Sequence, residues 1–283
     1  MGPEVSQTHF RLTLMMDSHR QKLLPRIRRV VIKVGSSILV GSGSHQDRLS
    51  EKILSGIVKG ISSVQKNQVH VTLVSSGAIA SGMHFLGYHK KPSKISELQA
   101  CAAIGQPILI QKYQKAFAKA GFQVAQILLT WEDLSTPKRL LNAKHTLNAL
   151  LEKNIIPIIN ENDTVAVEEI RFGDNDNLAA LVTDVVDADL LILLTDQDGF
   201  YTADPRQDRR ARKISVVEHI DEDIFSRAAD AGSAGSVGGM KTKLEAAQKA
   251  AGFGLPTIIA SGKDPQVLQK IFQGESVGTL FKV

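Results

Sequence analysis

Four tracts of the chain concentrate residues that can hold a phosphate or a zwitterion. "KVGSS" puts Lys33 and Gly35 at the end of an apolar run. "SSGAIASG" follows a second apolar run and opens with Ser75, Ser76 and Gly77. "INENDTVAVEEIRFGDNDN", from Ile159 to Asn177, holds four asparagines, three aspartates and three glutamates. "GSAGSVGGMKTK", 232–243, sets four glycines ahead of Lys241 and Lys243. Glycine lets backbone N–H groups close on an anion, and lysine neutralises it. Mixed Asp and Asn suit a ligand with both an ammonium and carboxylates, because such a ligand needs acceptors and donors together. A metal cage would favour carboxylates alone.

Each tract also has a plainer reading. Lys33 is either a strand-end lysine that snorkels to solvent or a lysine facing a phosphate. "SSGAIASG" is either a tight turn of small residues or an anion site at a helix N-terminus. The 232–243 segment is either a surface linker or a lid whose lysines reach a nucleotide, and Lys241 and Lys243 need not face alike. In "TDQDGFYTADPR", Asp196, Asp198 and Asp204 either form turns or line a base and ribose. Neither the dinucleotide fingerprint G-x-G-x-x-G nor a Walker P-loop is present, so a bound nucleotide uses another cradle.

The elements that must position these tracts alternate between strand and helix. Apolar runs at 28–39, 68–76, 122–130, 154–160, 189–196 and 255–262 read as strands, several apolar on both faces. Helices read at 47–67, 96–121 (bent at Pro107), 137–153, 177–188 and 239–254, with another of small residues after Gly77 and a last one within 264–274. "ARKISVVEHI" reads as part of a small hairpin and "VGTLF" as an edge strand. This pattern is an α/β fold: a mostly parallel central sheet between two helical layers. In such sheets ligands bind at the carboxyl ends of the strands. "KVGSS", "SSGAIASG", "NEND" and "TDQDG" all fall at those ends.

The whole chain of 283 residues, 43% hydrophobic and 22% charged, can form a full core. Residues 26–283 read as one domain after a flexible N-terminal extension over 1–25. That extension fits the loose pattern for N-myristoylation in "MGPEVS", though Pro3 weakens it. Net charge is +5, with cations dispersed except in "PRIRR" and "RQDRRARK". That is no nucleic-acid footprint, and it suits a polyanionic small ligand equally well. A single cysteine, Cys101, excludes an internal disulfide framework and points to a reducing, cytoplasmic setting. In "LQACAAIG" it reads as a buried hydrophobe. No apolar run has membrane-spanning length, so no membrane partner is expected.

The quoted tracts, with "LLNAKHTLNALL", "IIPIINEND", "FGDNDNLAALV" and "GSVGGMKTKLEAAQKA", occur in the order found in the amino acid kinase family and cover roughly residues 28–282. The chain resembles that family, and "INEND" with "GDNDN" resembles its members that phosphorylate glutamate. The resemblance implies a three-layer αβα sandwich and transfer of phosphate from ATP, with Mg²⁺, to the γ-carboxylate of L-glutamate. This is the first step of proline biosynthesis. It implies that Lys33 and Lys243 neutralise the phosphoryl group and that Asp176 orients them. It places glutamate on Ser76, Gly77, Asn160, Asp163, Asp174 and Asn175. It places ATP on Lys33, Gly35, Thr195, Asp196 and the loop Val237, Gly238, Gly239, Met240, Lys241, Thr242 and Lys243. No protein metal site is implied. Proline is the implied feedback inhibitor, with residues 164–174 as its first candidate site. A homodimer or homotetramer is expected. Many relatives carry a C-terminal PUA domain, and none is expected here, because the sequence ends at Val283. Sister kinases of acetylglutamate, aspartate or carbamate, and a non-catalytic sensor of glutamate or proline, are the alternatives.

Overall fold

The computed structural model describes residues 17–40, 50–166, 175–230 and 239–283. Expectations that fall on residues 1–16, 41–49, 167–174 and 231–238 lie outside the described residues. These include the start of the helix read at 47–67 and the site residues Asp174, Val237 and Gly238.

Among the described residues, eight strands form the central sheet. In chain order they are β1 (Arg29–Val34), β2 (His70–Ser75), β3 (Val124–Leu129), β4 (Ile156–Glu161), β5 (Leu190–Thr195), β8 (Val216–Val217), β9 (Thr257–Ser261) and β10 (Thr279–Phe281). The short strands β6 (Phe200–Tyr201) and β7 (Lys213–Ile214) pair with each other outside it. The sheet order is β3-β4-β2-β1-β5-β9-β10-β8. The first six strands run parallel, and β10 lies antiparallel to β9. Successive residues of a strand point to opposite faces, so each strand feeds two cores. Val30, Ile32 and Val34 join one and Val31 the other. Helices α3 (Glu51–Lys66), α5 (Ile95–Lys119) and α11 (Val267–Phe272) cover the first face. Helices α7 (Pro137–Glu152), α8 (Asp176–Val185) and α10 (Met240–Gly252) cover the second. The sheet is thus sandwiched between two helical layers, as expected.

Several local expectations are corrected. The run read as strand to residue 39 turns at Gly35 into a short helix, α2 (Ser36–Leu39). "VGTLF" is not at the edge: β10 pairs with β9 on one side and with β8 on the other. "ARKISVVEHI" is part of a small hairpin only in its first half, which pairs antiparallel with Phe200–Tyr201; its second half joins the main sheet beside β10.

Residues 17–25 do not behave as the end of a loose extension. Asp17 caps α1 (Ser18–Leu23), accepting from the His19 amide at 2.9 Å. Arg20 is wholly buried and donates to the carbonyls of Glu275 (3.1 Å), Gly278 (3.2 Å) and Val277. Burial pulls its pKa down from the usual guanidinium range, partly opposed by Asp17. The clasp fixes the approach to β10, whose Thr279 hydroxyl accepts from the Phe200 amide at 2.8 Å. Helix α1 therefore braces the strand that supports the loop after β5. Replacing Arg20 by Ala leaves buried carbonyls without donors. It should lower unfolding free energy by roughly 3 kcal/mol, measured by urea denaturation. A change within about 0.5 kcal/mol would deny the clasp its role.

Candidate active site

The face on which Lys33 lies follows from strand alternation. It shares parity with Val31, so it projects to the side covered by α8 and α10. Helix α8 begins with Asp176 and α10 carries Lys243 one turn inside its N-terminus. The three side chains meet there. Lys33 Nζ is 2.5 Å from Asp176 Oδ1, and Lys243 Nζ is 3.1 Å from Oδ2. Asp176 is 0% exposed, Lys33 5% and Lys243 6%. Thr242 Oγ1 lies 3.4 Å from Asp176 Oδ2 and donates to the Gly239 carbonyl at 2.9 Å.

Charge makes this cluster unusual. Two buried ammonium groups share one carboxylate, and two helix N-termini add further positive potential. A carboxylate at the start of α8 suits that helix's dipole, and the two lysines with the two helix N-termini suit a bound anion. Lys241, two residues earlier, is exposed, so only Lys243 of the pair turns into the cluster.

Room for that anion lies beside Gly35. Its φ of −70° is open to any residue. A methyl built there would meet nothing closer than Leu194 O at 3.6 Å, with Lys33 Nζ at 3.8 Å. The protein itself does not require glycine here; the missing methyl keeps space open against the ammonium. The Gly35 amide is occupied, donating to Leu194 O at 3.2 Å. The first amides of α2, at Ser36 and Ser37, have no acceptor within their helix.

An amide cluster joins three strand ends nearby. Asn175 Nδ2 donates to Asn160 Oδ1 (2.7 Å) and to the Ser75 carbonyl (3.0 Å), with Ser76 Oγ at 3.3 Å. Asn160 Nδ2 donates to Gln106 Oε1 at 2.8 Å. On the other face of β2, Ser75 Oγ is 2.9 Å from the hydroxyl of Tyr113, whose pKa burial raises. The hydrogens of the Asn175 side-chain amide are thus used between strands. Gln106 and Tyr113 are additions that the sequence reading missed. Gln106 left one signal, a polar residue on an otherwise apolar stretch of α5. Gly77 precedes α4 (Ala78–Leu86) with φ 107°, a conformation that favours glycine, and so turns the chain out of β2. Asp163 is half-buried in the turn after β4, where Asn162 N donates to Leu129 O.

Beyond β5 lies a cavity of ≈ 390 Å³ lined by Asp196, Gly199, Tyr201, Arg206, Met240 and Lys263, among others. Its size suits a small ligand. Thr195 is buried at the end of β5, and its hydroxyl donates to Asp196 at 3.1 Å. Arg206 grips Asp204 with two side-chain bonds, 3.0 and 2.9 Å, which holds that carboxyl below its usual range. Tyr201 donates to Asp198 at 2.6 Å; burial and that carboxylate push its pKa up to about 12. Met240 and Gly239 link this wall to the lysine cluster through α10. Arg206 ends the tract "TDQDGFYTADPR", already offered by the sequence as a base and ribose wall, whereas Lys263 was not anticipated. Among the described residues, no three His, Cys, Asp or Glu gather to hold a metal ion. No helix there is long and apolar enough to cross a membrane.

Asp176 is what makes two buried lysines tolerable. Asp176→Ala should lower stability by roughly 3–5 kcal/mol, read by chemical denaturation, and added phosphate should worsen nothing and restore part of the loss. A variant as stable as the parent would show that the lysines relax to solvent.

Comparison with known proteins agrees with this geometry. The family model described as the amino acid kinase family matches residues 28–261. A glutamate 5-kinase of Geobacter metallireducens is 47% identical over 262 residues, 93% of this chain and 69% of that one. A glutamate 5-kinase of Nitrosospira multiformis is 50% identical over 260 residues, 92% of this chain and 69% of the relative. The crystal structure of a UMP kinase from Bacillus anthracis superposes with a TM-score of 0.61 at 18% identity, covering 90% of this chain and 96% of that one; this likeness concerns the fold alone. The chain belongs to the amino acid kinase family.

Proposed function

We propose that the protein transfers the γ-phosphoryl group of ATP to the γ-carboxylate of L-glutamate, giving γ-glutamyl phosphate, the first step of proline biosynthesis. The observation that carries this reading is the buried Lys33–Asp176–Lys243 cluster, with a cavity of nucleotide-compatible size beside it. The glutamate 5-kinases at 47% and 50% identity supply the substrate.

The acceptor is already a carboxylate, so no general base is needed. What must be overcome is repulsion between that carboxylate and the triphosphate. Lys33 and Lys243, one on each side of Asp176, offset the negative charge that the transferring group carries. Asp176 is a positioning residue that keeps both ammonium groups aimed. The open space beside Gly35 admits the phosphate oxygens to Lys33. Mg²⁺ would come with the nucleotide and would help to offset the charge of its phosphates. Asp196, Met240 and the wall after β5 hold the nucleoside; Thr195, Gly239, Lys241 and Thr242, with Val237 and Gly238, complete the nucleotide side. Glutamate lies across Ser76, Gly77, Asn160, Asp163 and Asn175, with Asp174. There Asp163 meets the ammonium group. Asn175 acts by fixing the ends of β2 and β4 and not by giving an N–H to the ligand. Proline acts as feedback inhibitor over the same ground. The enzyme works in the cytoplasm as a dimer or tetramer, without nucleic acid or membrane partners.

A coupled ADP assay tests the reading. Glutamate-dependent ADP release is expected, and preference for acetylglutamate or aspartate would overturn the substrate assignment. Lys33→Ala and Lys243→Ala should each cut kcat by about 10²–10³; full turnover in either would remove its role. Asp163→Ala should raise the glutamate KM about tenfold or more while leaving that of ATP alone. Gly35→Ala should keep or slightly raise stability, by up to about 1 kcal/mol, yet lose turnover. Retained turnover would mean that phosphate does not use that space.

A further inference from the structure

A second concave surface lies on the opposite helical layer. The groove between α3 and α5, closed at one side by Gln269 of α11, has a volume of ≈ 710 Å³. Five lysines line it: Lys59 and Lys66 from α3, and Lys112, Lys115 and Lys119 from α5. Spacings of seven residues on α3, and of three and four on α5, put each set on one helix face. The two sets therefore form opposing walls. None of these lysines forms an ion pair among the described residues. Glu51, at the first turn of α3, is the one acidic residue among those lining the groove. The groove shares no lining residue with the cavity after β5.

Helix dipoles explain part of this pattern. Lys66 and Lys119 stand in last turns, where a cation is favourable. Lys59, Lys112 and Lys115 stand further back, and the dipole gives no reason for them to converge. Like charges facing each other across a groove repel and raise the affinity for a polyanion. The floor is of a different character. Leu54, Val58, Ala116 and Ala120 line it with apolar surface. Ser62 is 4% exposed, and its hydroxyl has no hydrogen-bond partner. A ligand with a flat apolar part and a run of phosphates matches both features: the ring against the apolar floor, the phosphates between the lysine walls, and an oxygen to satisfy Ser62 where it reaches the floor.

We propose that the α3–α5 groove is a second binding site for a nucleoside polyphosphate, separate from the phosphoryl-donor site. This goes beyond the proposed reaction and does not depend on which amino acid is phosphorylated.

Isothermal titration calorimetry on the full chain tests it, using AMP-PNP, GMP-PNP and inorganic tripolyphosphate as probes. Two sites per chain are expected for at least one of the nucleotides. Lys112→Glu/Lys115→Glu and, from the opposite wall, Lys59→Glu/Lys66→Glu should each weaken one site roughly tenfold or more. Lys243→Ala should affect the other site alone, and both groove variants should keep their basal turnover. A single site per chain, unchanged in both groove variants, would overturn the proposal. So would a groove site that responds to one wall and not the other. Tripolyphosphate binding the groove as tightly as either nucleotide would remove the nucleoside from the assignment. Heparin or polyuridylate binding there without either nucleotide would reassign the groove to an acidic macromolecule and overturn it.

Discussion

One carboxylate between two buried ammonium groups constrains much of this molecule. A buried ion pair is stable only when the geometry is good, and removing one partner leaves a costly charge. Asp176 must therefore be held to within tenths of an ångström of two lysines that come from different elements. That requires β1, α8 and α10 to keep fixed relations. They do so through one core in which Val31, Leu178, Ala179, Leu244 and Ala247 are all buried. Small side chains on α8 and α10 let the two helices come close, which brings their first turns together. The packing of the second face and the charge cluster are thus one construction.

The neutral amides solve a related problem at the other strand ends. Parallel strands finish with unpaired backbone groups at the edge where ligands bind. Asn175 takes the Ser75 carbonyl and the Asn160 side chain together, and Asn160 passes the restraint to Gln106 on α5. Tyr113 holds Ser75 from the opposite face. Strand β2 is thereby gripped from both helical layers at the point where the chain leaves it. Asn175 immediately precedes Asp176, so the amide network and the charge cluster are fixed by the same turn of backbone.

Much of this was legible in the sequence, for reasons that differ by residue. The alternation of apolar runs with amphipathic stretches is a local signal, and it gave the sandwich and the edge where the polar tracts gather. The side to which Lys33 points was not legible, because β1 is apolar on both faces and carries no period of two. Its two readings separated only when α8 and α10 were in place. The position of β10 was hidden because its neighbour β8 is two residues long, too short for any pattern, and sixty residues earlier in the chain. Arg20 was hidden for a third reason. Helix α1 is held by a side chain bonded to backbone carbonyls, and such bonds leave no trace in hydrophobic periodicity. Asn175 was singled out by its tract, but its acceptors could not be read there, because Ser75 lies 100 residues away in the sequence and Asn160 lies 15 away.

The lysines at Asp176 also link folding to occupancy. The folded chain gathers them in one buried cluster, whereas the unfolded chain leaves them solvated. Any anion that enters the cluster binds the folded state and not the unfolded one, and so stabilises the fold by mass action. Gly35 belongs to the same arrangement: its absent methyl leaves beside Lys33 a space that the protein's own packing does not require.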